Sequence, residues 1–210
     1  MLPKESQHTQ RRAIEAQKHI LTSHPHLTQV VEAVGLQKMP EIGVQPIPQA
    51  MAKIIVSQML SGSVAKVIYG RIENALQEGE NAWQLDEKTL LQCGLSRRKV
   101  RTLREFGCRW DEDRATVERW PMLEYEDLVR SVTDIWGLGE WSASMLAIFH
   151  FGNEDVFPIA DGSLTRAMKM FAETQAQEAI DHTRCAPFRS FLALYLWAAL
   201  DTGYFSKQGS

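Results

Sequence analysis

An isolated carboxylate, Asp161, follows Val156-Phe157-Pro158-Ile159-Ala160 and precedes a stretch, Gly162 to Phe171, whose apolar residues fall at helical spacing. A carboxylate placed there has two uses. It can cap the helix, the common role of aspartate at such a position, or it can stand beside a reacting centre and stabilise developing positive charge. A second feature lies upstream, Ile135-Trp136-Gly137-Leu138-Gly139-Glu140-Trp141-Ser142-Ala143. Two glycines around one apolar residue make a tight turn whose backbone another molecule can approach closely. The run Ser142 to Phe149 then reads as a helix beginning at that turn, so N–H groups and the positive end of the helix dipole converge at Gly137 to Ser142. Such a site takes an anion, and a DNA phosphate suits it.

Other side-chain chemistry is sparse. Cys93, Cys108 and Cys185 are too scattered for a disulfide framework or for close metal ligation and read as ordinary thiols. Of the histidines, His24 and His26 flank Pro25, His150 follows the hairpin helix, and His8, His19 and His182 are isolated; no carboxylate or cysteine completes a metal set. On residue type alone Trp141 and Trp197 are core aromatics. The net charge of −3 argues mildly against nucleic acid. Placement counters the total, because Arg97, Arg98, Lys99, Arg101 and Arg104 cluster in one segment. That segment is either a solvated helix face or the flank of a nucleic-acid path.

The elements that must carry these residues are helical. Apolar periodicity predicts helices over 9–23, from Pro25 to Gly35, over 50–60 and 64–76, and near 87–92, 96–108, 125–133, 140–151, 162–172 and 187–201. No strand alternation of useful length appears. The acidic stretch Trp110 to Pro121 lacks periodicity and reads as a surface connection. With 210 residues and 44% hydrophobic content, the chain suffices for one all-α domain of two lobes with its own core. No segment approaches the roughly 18–20 apolar residues of a membrane span, and Met1 to Gln7 lacks a signal-peptide apolar region. A cytoplasmic protein without membrane association is expected.

Five ordered motifs extend the hairpin and the aspartate into a pattern covering roughly residues 27–202. They are Gln58-Met59-Leu60-Ser61, Gly94-Leu95-Ser96-Arg97-Arg98-Lys99, the hairpin, Val156 to Asp161, and Pro187-Phe188-Arg189-Ser190 leading to Trp197. Together they resemble the helix-hairpin-helix DNA glycosylases, and within them the 3-methyladenine DNA glycosylase II, or alkylpurine, group. The resemblance implies a two-lobed fold with the active site in the cleft between lobes, one lobe near 46–150 and the other 1–45 plus 151–210. It implies damaged double-stranded DNA as partner, a monomer, and a location at the bacterial nucleoid or the eukaryotic nucleus. The family's catalytic carboxylate matches Asp161. Its base pocket matches Trp141, Met145 and Trp197, where indole faces would stack on a flipped base and favour a cationic one. DNA contacts fall to Gly137, Gly139, Trp141, Ser142 and Ala143 of the hairpin, and to Met59, with Leu60 second, as a wedge inserted into the duplex. Arg189 is expected to tie the C-terminal helix to the active-site lobe. The family's hairpin often binds Na+ or K+ through backbone carbonyls, here those of Trp136, Gly137 and Gly139. With three cysteines the chain cannot hold the four-cysteine iron–sulfur cluster of some members, and no other cofactor is implied.

Departures sharpen the reading. Bifunctional members have lysine where this chain has Trp141, and an indole cannot form a Schiff base. Base release without strand cleavage is therefore expected, on alkylated purines such as 3-methyladenine and 7-methylguanine. The alternatives are a bifunctional glycosylase/lyase acting on oxidised bases and a non-catalytic hairpin module that binds DNA. Ala160 replaces a second aspartate common in relatives, Met145 replaces a frequent tyrosine, and Trp136 replaces the hairpin's usual proline.

Overall fold

The computed structural model describes residues 4–175 and 179–207. In chain order its helices are α1 (Lys4–Ser23), α2 (Thr28–Val34), α3 (Ile47–Ser57), α4 (Gly62–Ala75), α5 (Glu87–Cys93), α6 (Arg97–Glu112), α7 (Arg114–Glu118), α8 (Tyr125–Thr133), α9 (Glu140–Phe149), α10 (Gly162–Gln175), α11 (Arg189–Asp201) and α12 (Tyr204–Lys207). Short 3-10 turns occur at Pro25–Leu27, Ala82–Gln84, Trp120–Met122 and His182–Cys185. No strand occurs among the described residues, and the fold is all-α. The chain divides into two compact units, Ile42–Phe151 and Met1–Glu41 with Gly152–Ser210.

In the unit spanning 42–151, α9 packs against α3 and α8, and α6 packs against α3. Pro46 enters α3 in extended conformation and Pro48 sits in its first turn, where the missing N–H is no loss. The helix ends three residues earlier than its apolar run suggests, because Gln58 leaves the helical region and turns its amide elsewhere. Gly94, in left-handed conformation, stops α5, and Ser96 starts α6 by accepting the Lys99 N–H at 3.3 Å. Met51, Ile55, Ile72, Leu90, Leu103, Phe106 and Leu146 are fully buried here. The stretch 110–121 is not a surface connection. It completes α6, forms α7 and buries Val117 and Trp120, whose indole N–H donates to Ser131 Oγ at 2.8 Å. Two apolar residues among many acids carry that segment inward, which a reading by charge overlooks.

In the other unit α11 is central, packed by α10, α2, α1 and α12. Its buried Phe191, Leu192, Tyr195 and Leu196 meet Ile20 of α1, Val30 and Val31 of α2 and Phe171 of α10. Each such side chain contributes about 1.5–3 kcal/mol on removal from water. The start of α11 also organises the loop before Asp161. Ser190 Oγ accepts the Val156 N–H at 2.9 Å and donates to Asn153 O at 2.7 Å, Ser190 N–H donates to Glu154 O at 2.9 Å, and Arg189 grips Asp155 through Nε at 2.7 Å and Nη2 at 3.0 Å. Arg189 therefore works inside its own unit, tying α11 to the segment that delivers Asp161.

Candidate nucleic-acid and carboxylate sites

The hairpin lies between α8 and α9. Gly137 has φ +86°, and a Cβ there would overlap the Thr102 hydroxyl of α6. Glycine is thus required at 137 twice, by conformation and by packing. Gly139 differs. Its φ of −129° suits any residue and nothing lies within 4 Å of a Cβ built on it. The fold gives no reason for glycine at 139. Leu138 and Ile135 turn inward and anchor the loop.

Gly139 is the N-cap of α9 and supplies no capping side chain. The Ser142 and Ala143 N–H groups both go to Gly139 O, at 2.9 and 3.2 Å, and the Leu138 N–H goes to Ile135 O at 3.1 Å. Both side chains at 142 and 143 are buried. The amides of Ser142 and Ala143 thus bond within the first turn of α9. The N–H groups of Gly139 and Glu140 find no acceptor among the described residues, at the end of α9 where the helix dipole is positive.

Gln58 fixes this loop. Its Nε2 donates to Gly137 O at 3.1 Å and to Ser142 Oγ at 3.2 Å. The motif signalled Gln58 only as part of a wedge segment, and its service to the hairpin was not foreseen. Gly139 O already accepts two N–H bonds and Gly137 O accepts from Gln58. With two lone pairs per carbonyl, Gly137 O keeps one beyond its bond to Gln58. Among the described residues there is no cluster of three or more His, Cys, Asp or Glu suited to a metal.

Beyond Gln58 the chain projects Met59 fully into solvent at φ +57°, a left-handed conformation that costs a non-glycine residue about 1–2 kcal/mol. Leu60, 38% exposed, follows it. An apolar side chain held out in a strained turn packs against nothing in the chain that would explain it.

The basic segment on α6 splits by role. Lys99 Nζ donates to Val56 O at 2.6 Å near the end of α3, and burial pulls its ammonium below the ordinary lysine value. Arg104 donates to the carbonyls of Trp83 and Leu85. Those two cations are structural. Arg101 lies over the exposed Trp136 ring, 3.8 Å from its centroid, with Arg98 at 6.0 Å. Neither of the two readings of the run holds for all of it.

In the other unit Asp161 begins α10 as its own cap. Its Oδ1 accepts the N–H groups of Ser163 and Leu164, each at 2.9 Å, the Ser163 hydroxyl, and the Trp197 indole N–H at 3.4 Å. Trp197 Nε1 also donates to Ser163 Oγ at 3.0 Å. Asp161 as a residue is 9% exposed. Oδ1 accepts all four of these bonds, which orient the carboxylate. The structure brings Trp197 to Asp161 by an edge-on hydrogen bond. Ser163 joins the two and was missed, although serine two residues after a helix-starting aspartate is an ordinary capping pattern. On α9, Trp141 and Met145 are one turn apart on the same side; Trp141 is partly exposed and Met145 is 8% exposed.

Two helices joined by a glycine hairpin, with a carboxylate at a later helix start, define the helix-hairpin-helix class. The chain belongs to the HhH-GPD superfamily of base excision DNA repair proteins, whose family model matches residues 52–185. It is 26% identical over 176 residues to DNA-3-methyladenine glycosylase 1 of Schizosaccharomyces pombe, covering 76% of this chain and 75% of that protein. The structure of the S. pombe enzyme Mag1 with abasic DNA superposes with a TM-score of 0.72 at 24% identity, over 87% of this chain and 95% of that one. DNA-3-methyladenine glycosidase of Bacillus halodurans gives 0.68 at 28% identity, over 88% of each chain.

Proposed function

We propose that this protein is a monofunctional DNA glycosylase that flips alkylated purines, 3-methyladenine and 7-methylguanine foremost, from duplex DNA and hydrolyses their N-glycosidic bond. The observation that carries the reading is Asp161, nearly buried and locked through Oδ1 by two backbone amides, a hydroxyl and an indole. As the C1′–N bond of an alkylated nucleotide breaks, its electron pair leaves with the cationic base and neutralises it. Positive charge grows on the sugar, where a fixed carboxylate stabilises it. Water then bonds to C1′ and Asp161 is the base that takes its proton. A cationic base departs without an acid to protonate it, so one carboxylate suffices where O-glycosidases use two.

Supporting parts follow from the residues. The amides of Gly139 and Glu140 hold a backbone phosphate, Met59 fills the stack a flipped base leaves, and the indoles of Trp141 and Trp197 present electron-rich faces to a cationic base. Trp141 in the place of lysine supports hydrolysis over lyase chemistry. The names of the relatives support the alkylpurine class. The test is a panel of duplexes carrying alkylated, deaminated and oxidised bases, scored separately for base release and strand cleavage, with borohydride trapping. Release of 3-methyladenine without cleavage or trapping is the expected result. A trapped adduct would mean a lyase, and binding without release a non-catalytic module.

A further inference from the structure

The hairpin's departure from proline has a counterpart on α6. Trp136 is 40% exposed and sits directly before Gly137, which abuts Thr102. Arg98 and Arg101 lie one turn apart on α6, next to Thr102, and both guanidiniums reach the same indole. The side chain of Arg101 is 59% exposed. Its Nε contacts Glu105 Oε1 at 3.3 Å, and its Nη groups have no acceptor among the described residues. An aromatic face satisfies a guanidinium's charge but none of its in-plane N–H donors, so stacking fixes the plane and leaves its edge for a planar or tetrahedral oxyanion.

We propose that Trp136 is a platform presenting Arg101, with Arg98 beside it, as a second phosphate contact on the strand gripped by the hairpin. The hairpin amides take one phosphate and the stacked guanidinium a neighbouring one. Trp136 thus supplies the rigidity its proline counterpart would give, and adds charge at the same point. This inference rests on the proposed DNA reading and concerns backbone contact alone, so it predicts no preference for damage.

The test measures binding of an undamaged and a damaged duplex across a salt series for wild type, Arg101→Ala, Arg98→Ala and Trp136→Ala, with thermal unfolding of each to confirm folding. A phosphate contact contributes about 0.9 to the slope of log K against log salt. Arg101→Ala should flatten the slope by about that amount and weaken both duplexes by the same factor. Trp136→Ala should reproduce part of the loss with every arginine present, and Glu105→Gln should tighten binding. An unaltered slope in folded Arg101→Ala would overturn the proposal, as would a loss confined to damaged DNA. A wild-type protein that binds no duplex would instead overturn the DNA reading on which it stands.

Discussion

Two helix beginnings in this molecule use the same physics in opposite ways. The start of α9 has a glycine cap with no side chain to fill it, and the amides of Gly139 and Glu140 have no acceptor among the described residues. The start of α10 has an aspartate whose own carboxylate occupies the first donors. Each N-terminus carries about half a positive charge. At α9 it is offered to an anion from outside. At α10 it already holds an anion, fixed in place and so available as a charge to something else. A helix start is therefore not informative by type; what fills its cap decides whether it receives charge or presents it.

The largest expected effect comes from removing the presented charge. Asp161→Asn keeps a good cap, so folding and duplex binding should stay near wild type while base excision falls by about a hundredfold or more. Single-turnover release from a 3-methyladenine duplex checks this, and activity within about tenfold of wild type would remove Asp161 from the chemistry. At α9 the two glycines should separate. Gly137→Ala forces a Cβ onto Thr102 at positive φ and should destabilise the unit spanning 42–151 by about 2–4 kcal/mol. Gly139→Asp should leave the unfolding midpoint almost unchanged yet weaken damaged and undamaged duplex alike, since its carboxylate repels phosphate at the cap. If both variants unfold equally early, the distinction between a glycine for the fold and a glycine for a ligand is wrong.

A smaller effect tests how the aspartate is held. Ser163→Ala removes the hydroxyl bonded to Asp161 and Trp197 but keeps both backbone donors on Oδ1. We expect kcat to drop by about tenfold with KM unchanged, as for an interaction realised in the transition state, and Ser163→Thr to restore most of it. A change in KM alone would make Ser163 a shaping residue only. The same contacts dictate the choice of probe at 197. Trp197→Ala would remove an indole face and its bonds to Asp161 and Ser163 together, whereas Trp197→Phe keeps a smaller aromatic ring and loses those bonds. Comparing the two on 3-methyladenine and hypoxanthine isolates cation–π stacking, which should show as a loss specific to the cationic base.

The all-α fold, the hairpin and the helix start at Asp161 were legible because each is written locally: apolar period, two glycines, an aspartate before a periodic run. Boundaries slipped where a single residue acts at a distance. Gln58 ends α3 in order to reach Gly137 and Ser142, and no pattern within α3 reveals it. Trp110 to Pro121 misled because its charges outnumber the two apolar residues that matter. The basic run on α6 looked uniform, yet Lys99 and Arg104 are consumed by carbonyls while Arg101 stacks outward. Identical residue types diverged through neighbours that lie far off in sequence. Ser163 was missed for the opposite reason, since its local capping pattern is so ordinary that it conceals a tie to Trp197 on another helix.

The weakest expected effect concerns acid, and it should fall unevenly. His8, His19, His24, His26 and His182 belong to the unit containing Asp161, and His150 to the other. The His182 ring stacks on Phe157 at 4.5 Å, and its buried Nδ1 has no hydrogen-bond partner. Burial, then the nearby Arg189 charge, lowers its pKa, with Asp181 opposing. Burial lowers that of His150 as well. A histidine whose folded-state value lies below the unfolded one prefers to be neutral in the fold. Its contribution is complete above the ordinary value of 6.5 and is lost as pH falls through and below it, because the unfolded chain then binds the proton more readily. Stability should therefore decline as pH drops from about 7 toward 5, and His182→Gln, which cannot take up that proton, should show a shallower decline. Denaturant melts at several pH values, read by exchange of α11 and α9 amides, would resolve the units. Equal acid sensitivity of wild type and His182→Gln at α11 would show that the stacked ring is not what the proton disturbs.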